Sequence, residues 1–242
     1  MKKSIFIFCS LFFLGGCAEL QQITTQLPGT MGQSEGMDGI SAVQISNGLK
    51  QALELGVQDG IQNLGKKDGF FGNSLVKVLL PEELQAVDKT LRNIGMGSLA
   101  DEGLKLLNRA AEDAVTEATP IFANAITGMS FNDAKGILFG GNNAATNYFQ
   151  NRTSDQLFNA FKPKVQNSLG KVGADKIWTQ IITQYNNFTG NNITTDLNNY
   201  VTQETINGVF KMVAQKENGI RNNLGMRTTP LLLEVFALQD RK

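Results

Sequence analysis

From residue 40 onward, apolar side chains return at every third or fourth position, in blocks closed by glycine or opened by proline. Leu49, Leu53, Val57, Ile61 and Leu64 form the first such stripe, and Gly65 ends it. This spacing puts the apolar groups on one face of an α-helix, whereas a half-buried strand needs strict alternation, which is nearly absent here. Pro81-Glu82-Glu83 reads as a first helical turn, because proline lacks a donor that is unpaired there anyway and acids suit the positive helix end. Leu84, Val87, Leu91 and Ile94 continue that helix to Gly95.

Further starts follow the same chemistry. Ser98 with Asp101 reads as the cap of a helix carrying Leu104, Leu107, Ala111, Ala114, Val115 and Ala118. Thr119-Pro120 reads as the start of another, Ser130 with Asp133 as the cap of a short one, and Gly140-Gly141 as its stop. Asn142-Asn143 precede a helix holding Ala145, Tyr148 and Phe149. Thr153 with Gln156 reads as a capping box for Leu157, Phe158 and Phe161, with a kink expected at Pro163. Gly173 precedes Ile177, Trp178, Ile181, Ile182 and Tyr185, after which residues 186–195 read as a loop and Asp196 to Val201 as one short turn. A long helix carries Ile206, Val209, Phe210, Val213 and Ile220, and Thr229-Pro230 caps a last, very apolar one. Residues 40–242 are therefore expected to form a single all-α domain of about eight to ten helices. Phe70 to Leu80 has no clean helical period and is expected to run extended up to Pro81.

The first 39 residues read differently. Met1-Lys2-Lys3 is a basic start, and Ile5 to Phe13 is an apolar run too short to span a bilayer. Residues 1–16 thus read as a signal peptide. Leu14-Gly15-Gly16-Cys17 resembles the lipobox of bacterial lipoproteins, which implies cleavage before Cys17 and acylation of that residue. Ala18 follows where an aspartate would resemble an inner-membrane retention signal. In a Gram-negative host the resemblance implies an outer-membrane lipid anchor facing the periplasm. Residues 17–39 hold Gln, Thr, Ser, Gly and Pro without a period, as a flexible tether does, and such a length reaches roughly 25 Å.

Composition removes several chemistries. The chain has no histidine, so Ser-His-Asp and Cys-His catalysis and HExxH zinc sites are excluded. Of its two cysteines, Cys9 would leave with the signal peptide and Cys17 would carry lipid, so no disulfide or thiolate metal site is available. With 22 basic against 22 acidic residues, nucleic acid is not an expected partner. No motif implies a cofactor or metal. Gly136 to Gly141 has the glycines of a phosphate loop without the Lys-Ser/Thr that must follow.

Several polar residues sit where a bland helix would not need them. Asn108 lies on an apolar stripe and reads either as a ligand contact or as an amide bonded to another helix's backbone. Arg109 has Glu112 and Asp113 at i+3 and i+4, the spacing of a surface ion pair or of an anion site. Glu217 continues the stripe of Phe210 and Val213, with Arg221 one turn on. A glycan-cleaving site would need one such carboxylate as proton donor and a second across a cleft. Arg227 before the Thr229-Pro230 cap suits either a tie to neighbouring helices or an anion contact. Tyr148 completes the set of candidate binding residues.

Asn108-Arg109-Ala110-Ala111-Glu112, Met129-Ser130-Phe131-Asn132-Asp133-Ala134, Ala144-Ala145-Thr146-Asn147-Tyr148-Phe149 and Arg227-Thr228-Thr229 occur in this order. Together they resemble the bacterial family called domain of unknown function 4197, over about Ile45 to Phe236. The resemblance implies a signal-bearing, mostly helical envelope protein and carries no activity. The leading expectation is a membrane-anchored lipoprotein whose helical module binds another envelope component without catalysis. The alternatives are a carrier of a lipid or apolar small molecule between helices, and an envelope glycan hydrolase or lyase using Glu217 or Glu112.

Overall fold

A computed structural model gives the structure of the chain, described for residues 41–171, 173–190 and 196–241. The expected signal peptide, Cys17 and the tether lie outside the described residues, as do residues 191–195 of the expected 186–195 loop; residues 186–189 of that loop are instead the last turn of a helix that ends at Thr189. The described residues belong to one unit, Glu35–Lys242. Among them the regular structure is helical, with no strand.

Helix α1 spans Ala42–Leu64. Ser41 Oγ accepts from Gln44 N, and the Gln44 side chain accepts in turn from Ser41 N, a reciprocal cap that fixes the start of the first helix. Helices α2 (Glu82–Asn93) and α3 (Gly97–Ala114) follow. A 3-10 turn at Val115–Glu117 joins α3 to α4 (Ala118–Thr127). Then come α5 (Phe131–Leu138), α6 (Ala144–Lys171), α7 (Ala174–Thr189), α8 (Leu197–Asn222) and α9 (Pro230–Asp240).

Helix α6 makes its most extensive contacts with α8 and α3, while α1 lies across α4, α5, α8 and α9. At the centre, the fully buried Phe122 of α4 meets Phe149 of α6 edge-on at 5.0 Å and Phe210 of α8 at 6.2 Å. Such pairs add about 0.5–1.5 kcal/mol beyond area burial. Helix α2 stands apart, packing chiefly on α3 and α7. No helix among the described residues is long and apolar enough to cross a membrane.

The all-α expectation holds, as do the caps at Ser130 and Thr229. Several boundaries need correction. Helix α3 starts at Gly97 without a side-chain cap, because Asp101 instead pairs with Arg92 of α2 at 2.6 Å. Thr119-Pro120 lies inside the first turn of α4, where the missing proline N–H costs nothing. Thr153 starts no helix. It sits within the 28-residue α6, and its hydroxyl donates to Phe149 O at 2.7 Å, one turn back in the same helix. Helix α6 also runs through Pro163. Asp196 to Val201 is the opening of α8, since the Asp196 carboxylate accepts from Asn199 N at 3.0 Å and caps it. Phe70 to Leu80 forms no strand: residues 70–76 are mostly turns, and 77–80 have no regular structure.

Candidate functional site

The polar residues singled out in the sequence fall into two clusters, with Tyr148 apart from both. The first cluster faces the connection between α1 and α2. Asn108 is fully buried on α3. Its Oδ1 accepts from Val78 N at 2.9 Å, and its Nδ2 donates to Val78 O at 2.8 Å and to Leu104 O at 2.9 Å. The amide therefore serves Val78 as a neighbouring strand would, pairing both its backbone groups. One turn on, Glu112 Oε1 accepts from Phe70 N at 3.1 Å and from Phe71 N at 3.2 Å. Its other oxygen pairs with Arg109, which also reaches Asp68 at 2.6 Å.

Arg109 was expected to pair along the helix surface. It does meet Glu112, but that carboxylate is buried, and Asp113 instead accepts the Ser168 hydroxyl. Both Glu112 and Asp68 hold the Arg109 guanidinium's proton more firmly than usual, the Glu112 hydrogen bond contributing most. Phe70 is seated deep in the core, where its ring approaches Gly208 of α8 so closely that a Cβ there would come within 2.6 Å of it.

The second cluster organises the α5–α6 turn from α8. Glu217 Oε1 accepts from Ala145 N, and Oε2 from Thr146 N, both at 2.9 Å. Thr146 Oγ1 adds a bond at 2.8 Å. The carboxylate thus sits at the N-terminus of α6, where free N–H groups and the helix dipole favour an anion. Arg221 lies one turn along α8 and pairs with Glu217 at 2.8 Å, both side chains buried. Its Nη2 donates to Ile137 O at 2.7 Å and its Nη1 to Leu138 O at 3.2 Å, which are terminal carbonyls of α5. One ion pair therefore caps the end of α5 and the start of α6 together.

Arg227 repeats the device at the end of α8. Its Nε donates to Ile220 O at 3.0 Å, its Nη2 to Arg221 O at 2.9 Å, and both terminal nitrogens reach Asp240 of α9. The guanidinium also lies 5.5 Å from the Phe236 ring. The Arg227 bonds hold the Asp240 carboxyl below the usual carboxylate range. Tyr148 is half-buried; its hydroxyl donates to Ala125 O at 3.2 Å, and burial raises it above the usual phenol range.

Each of the two buried carboxylates is thus saturated by backbone donors and an arginine. No group of three or more His, Cys, Asp or Glu side chains among the described residues is placed to hold a metal. A cavity of about 30 Å3 lies against Glu217 and Arg221, among Leu53, Val57, Phe149 and Phe236. That is room for a few waters at most, given a lower limit of roughly 10–15 Å3 for one.

A larger opening, about 510 Å3, lies between residues 74–85 and α8. No motif or period along the chain points to it. Asn108 holds Val78 inward, fully buried, and burial alternates along the segment, with Val76 and Val78 inside and Leu79 outside. Leu79 is 58% exposed on the groove wall, and Leu75 is 43% exposed. Tyr200 Oη donates to Leu79 O at 2.9 Å and closes the groove from the α8 side. Lys77 and Lys211 are balanced by Glu82 and Glu204 around the rim. Asn108 therefore stands one layer behind this surface, holding the segment that forms its wall.

A family model described as protein of unknown function (DUF4197) matches residues 39–237. No curated protein and no solved structure matches the chain.

Proposed function

The chain belongs to the family of protein of unknown function DUF4197, and we propose that it is a membrane-anchored envelope lipoprotein whose helical unit docks another envelope protein without catalysing a reaction. The observation that carries this reading is the groove between residues 74–85 and α8, with Leu75 and Leu79 exposed on its wall. Leu79, exposed beside the clamped Val78, and Leu75 stand inside a rim of both charges, which suits a partner surface of mixed polarity more than a polyanion. The anchor rests on the lipobox-like Leu14 to Cys17.

The alternatives draw less support. A glycan-cleaving site needs a carboxyl able to exchange a proton with substrate. Glu112 and Glu217 instead hold helix and loop backbone within the core. The cavity beside Glu217 is far smaller than a lipid chain.

The anchor is tested by Cys17→Ala expressed in the native host. The expected result is loss of the acyl mass and release from the membrane fraction. If the variant still sediments with outer membrane after a salt wash, the anchored reading is wrong.

A further inference from the structure

Residues 77–80 line the groove opposite α8 without regular structure, so their backbone groups take no partner from a helix or sheet. Most are engaged one by one. The Asn108 amide takes both groups of Val78, Leu79 O accepts from Tyr200 Oη, and Lys77 N donates to Asn73 O at 2.8 Å. Two groups that flank Val78 are left. The Lys77 carbonyl and the Leu79 N–H have no hydrogen-bond partner among the described residues.

A carbonyl and the N–H two residues further on are what one residue of a parallel neighbour uses: its N–H donates to the first, and its C=O accepts from the second. An antiparallel neighbour would instead use both groups of Lys77 or both of Leu79, and in each residue one group is already engaged. The dimensions suit a short extended chain. The α8 side of the groove runs from Tyr200 through Glu204 to Lys211, about 16 Å at roughly 1.5 Å per residue. Extended chain rises by about 3.3 Å per residue, so about five residues cover that length. The opening of about 510 Å3 lies within the roughly 300–1,000 Å3 of small-ligand pockets. A folded face would typically need about 800 Å2 of surface on each partner.

We propose that the groove takes an extended segment of the partner, about five residues long, which adds beside residues 77–79 as a parallel strand. One residue of the segment bonds the Lys77 carbonyl and the Leu79 N–H. Alternate side chains of the segment lie against Leu75 and Leu79, so backbone bonds supply affinity and apolar contacts supply selectivity. This rests on the docking reading above and specifies what the partner brings to the groove.

The test uses the full chain held in lipid nanodiscs, with the fluorescein-labelled peptide Gly-Val-Thr-Val-Thr-Val as probe. Saturable binding is expected by fluorescence polarisation. Leu75→Glu, at a position 43% exposed, is expected to weaken it by about fivefold or more. Every second N–H of an added strand faces its neighbour. N-methylation of all Val residues of the probe, or of all its Thr residues, is therefore expected to weaken binding by about fivefold or more in one analogue and leave the other nearly unchanged. No saturable binding, equal effects of the two methylations, or binding unmoved by Leu75→Glu would each overturn the proposal. A crosslink from position 79 to an envelope protein, with no binding of the probe, would leave docking standing and overturn the added strand alone.

Discussion

At the scale of single residues, the polar positions on apolar stripes serve the backbone of other segments. Asn108 was legible in the sequence as a buried amide that needs partners. Its partner was not, because Val78 belongs to a stretch without period thirty residues upstream. Asn108→Ala leaves Val78 N and O unpaired in the core, at about 1–3 kcal/mol per group. The expected outcome in urea unfolding is a loss of that order, with faster hydrogen exchange at Val78. Asp240 offers a pH signature. Its folded value is depressed by Arg227, so its contribution is present above the unfolded value, near 3.9, and fades as pH falls through the lower folded value. Asp240→Asn should therefore lower Tm at pH 7 and narrow the gap to wild type below about pH 4. Thermal melts across that range check it; a gap constant with pH would remove Asp240 from the account.

At the scale of elements, helices with strong stripes were legible and their joints were less so. A hydroxyl three residues before an acid or amide marks Ser130 correctly. The same pattern at Thr153 lies within a continuous helix, where the hydroxyl turns back to its own backbone. Ser41 with Gln44 carries the cap that does operate, hidden beside a stretch that reads as tether. The α5–α6 joint depends on Glu217 and Arg221, visible in the sequence as an i, i+4 pair whose reach to two helix ends only the packing shows. Removing one member of a buried pair costs about 3–5 kcal/mol, because the other stays buried and uncompensated. Glu217→Gln should lose stability on that scale in urea unfolding. The double variant with Arg221→Met should lose less than the two single losses added. Additive losses would mean that the pair does not act as one unit.

At the scale of the whole molecule, the chain combines an address-like start with a helical unit whose ionisable core residues hold elements together. The groove was invisible in the sequence because its wall and its far side come from segments more than a hundred residues apart. Asn108 sets the wall, Tyr200 closes it, and Leu79 is what they leave exposed. The most direct test of docking is a photo-crosslinking side chain placed at Leu79 in the intact envelope, with Leu224, another exposed leucine at 64% accessibility, as control. The account predicts one discrete protein adduct from position 79, absent from position 224 and lost when Leu75→Glu is added. No adduct at 79, or the same adduct from both positions, would contradict it.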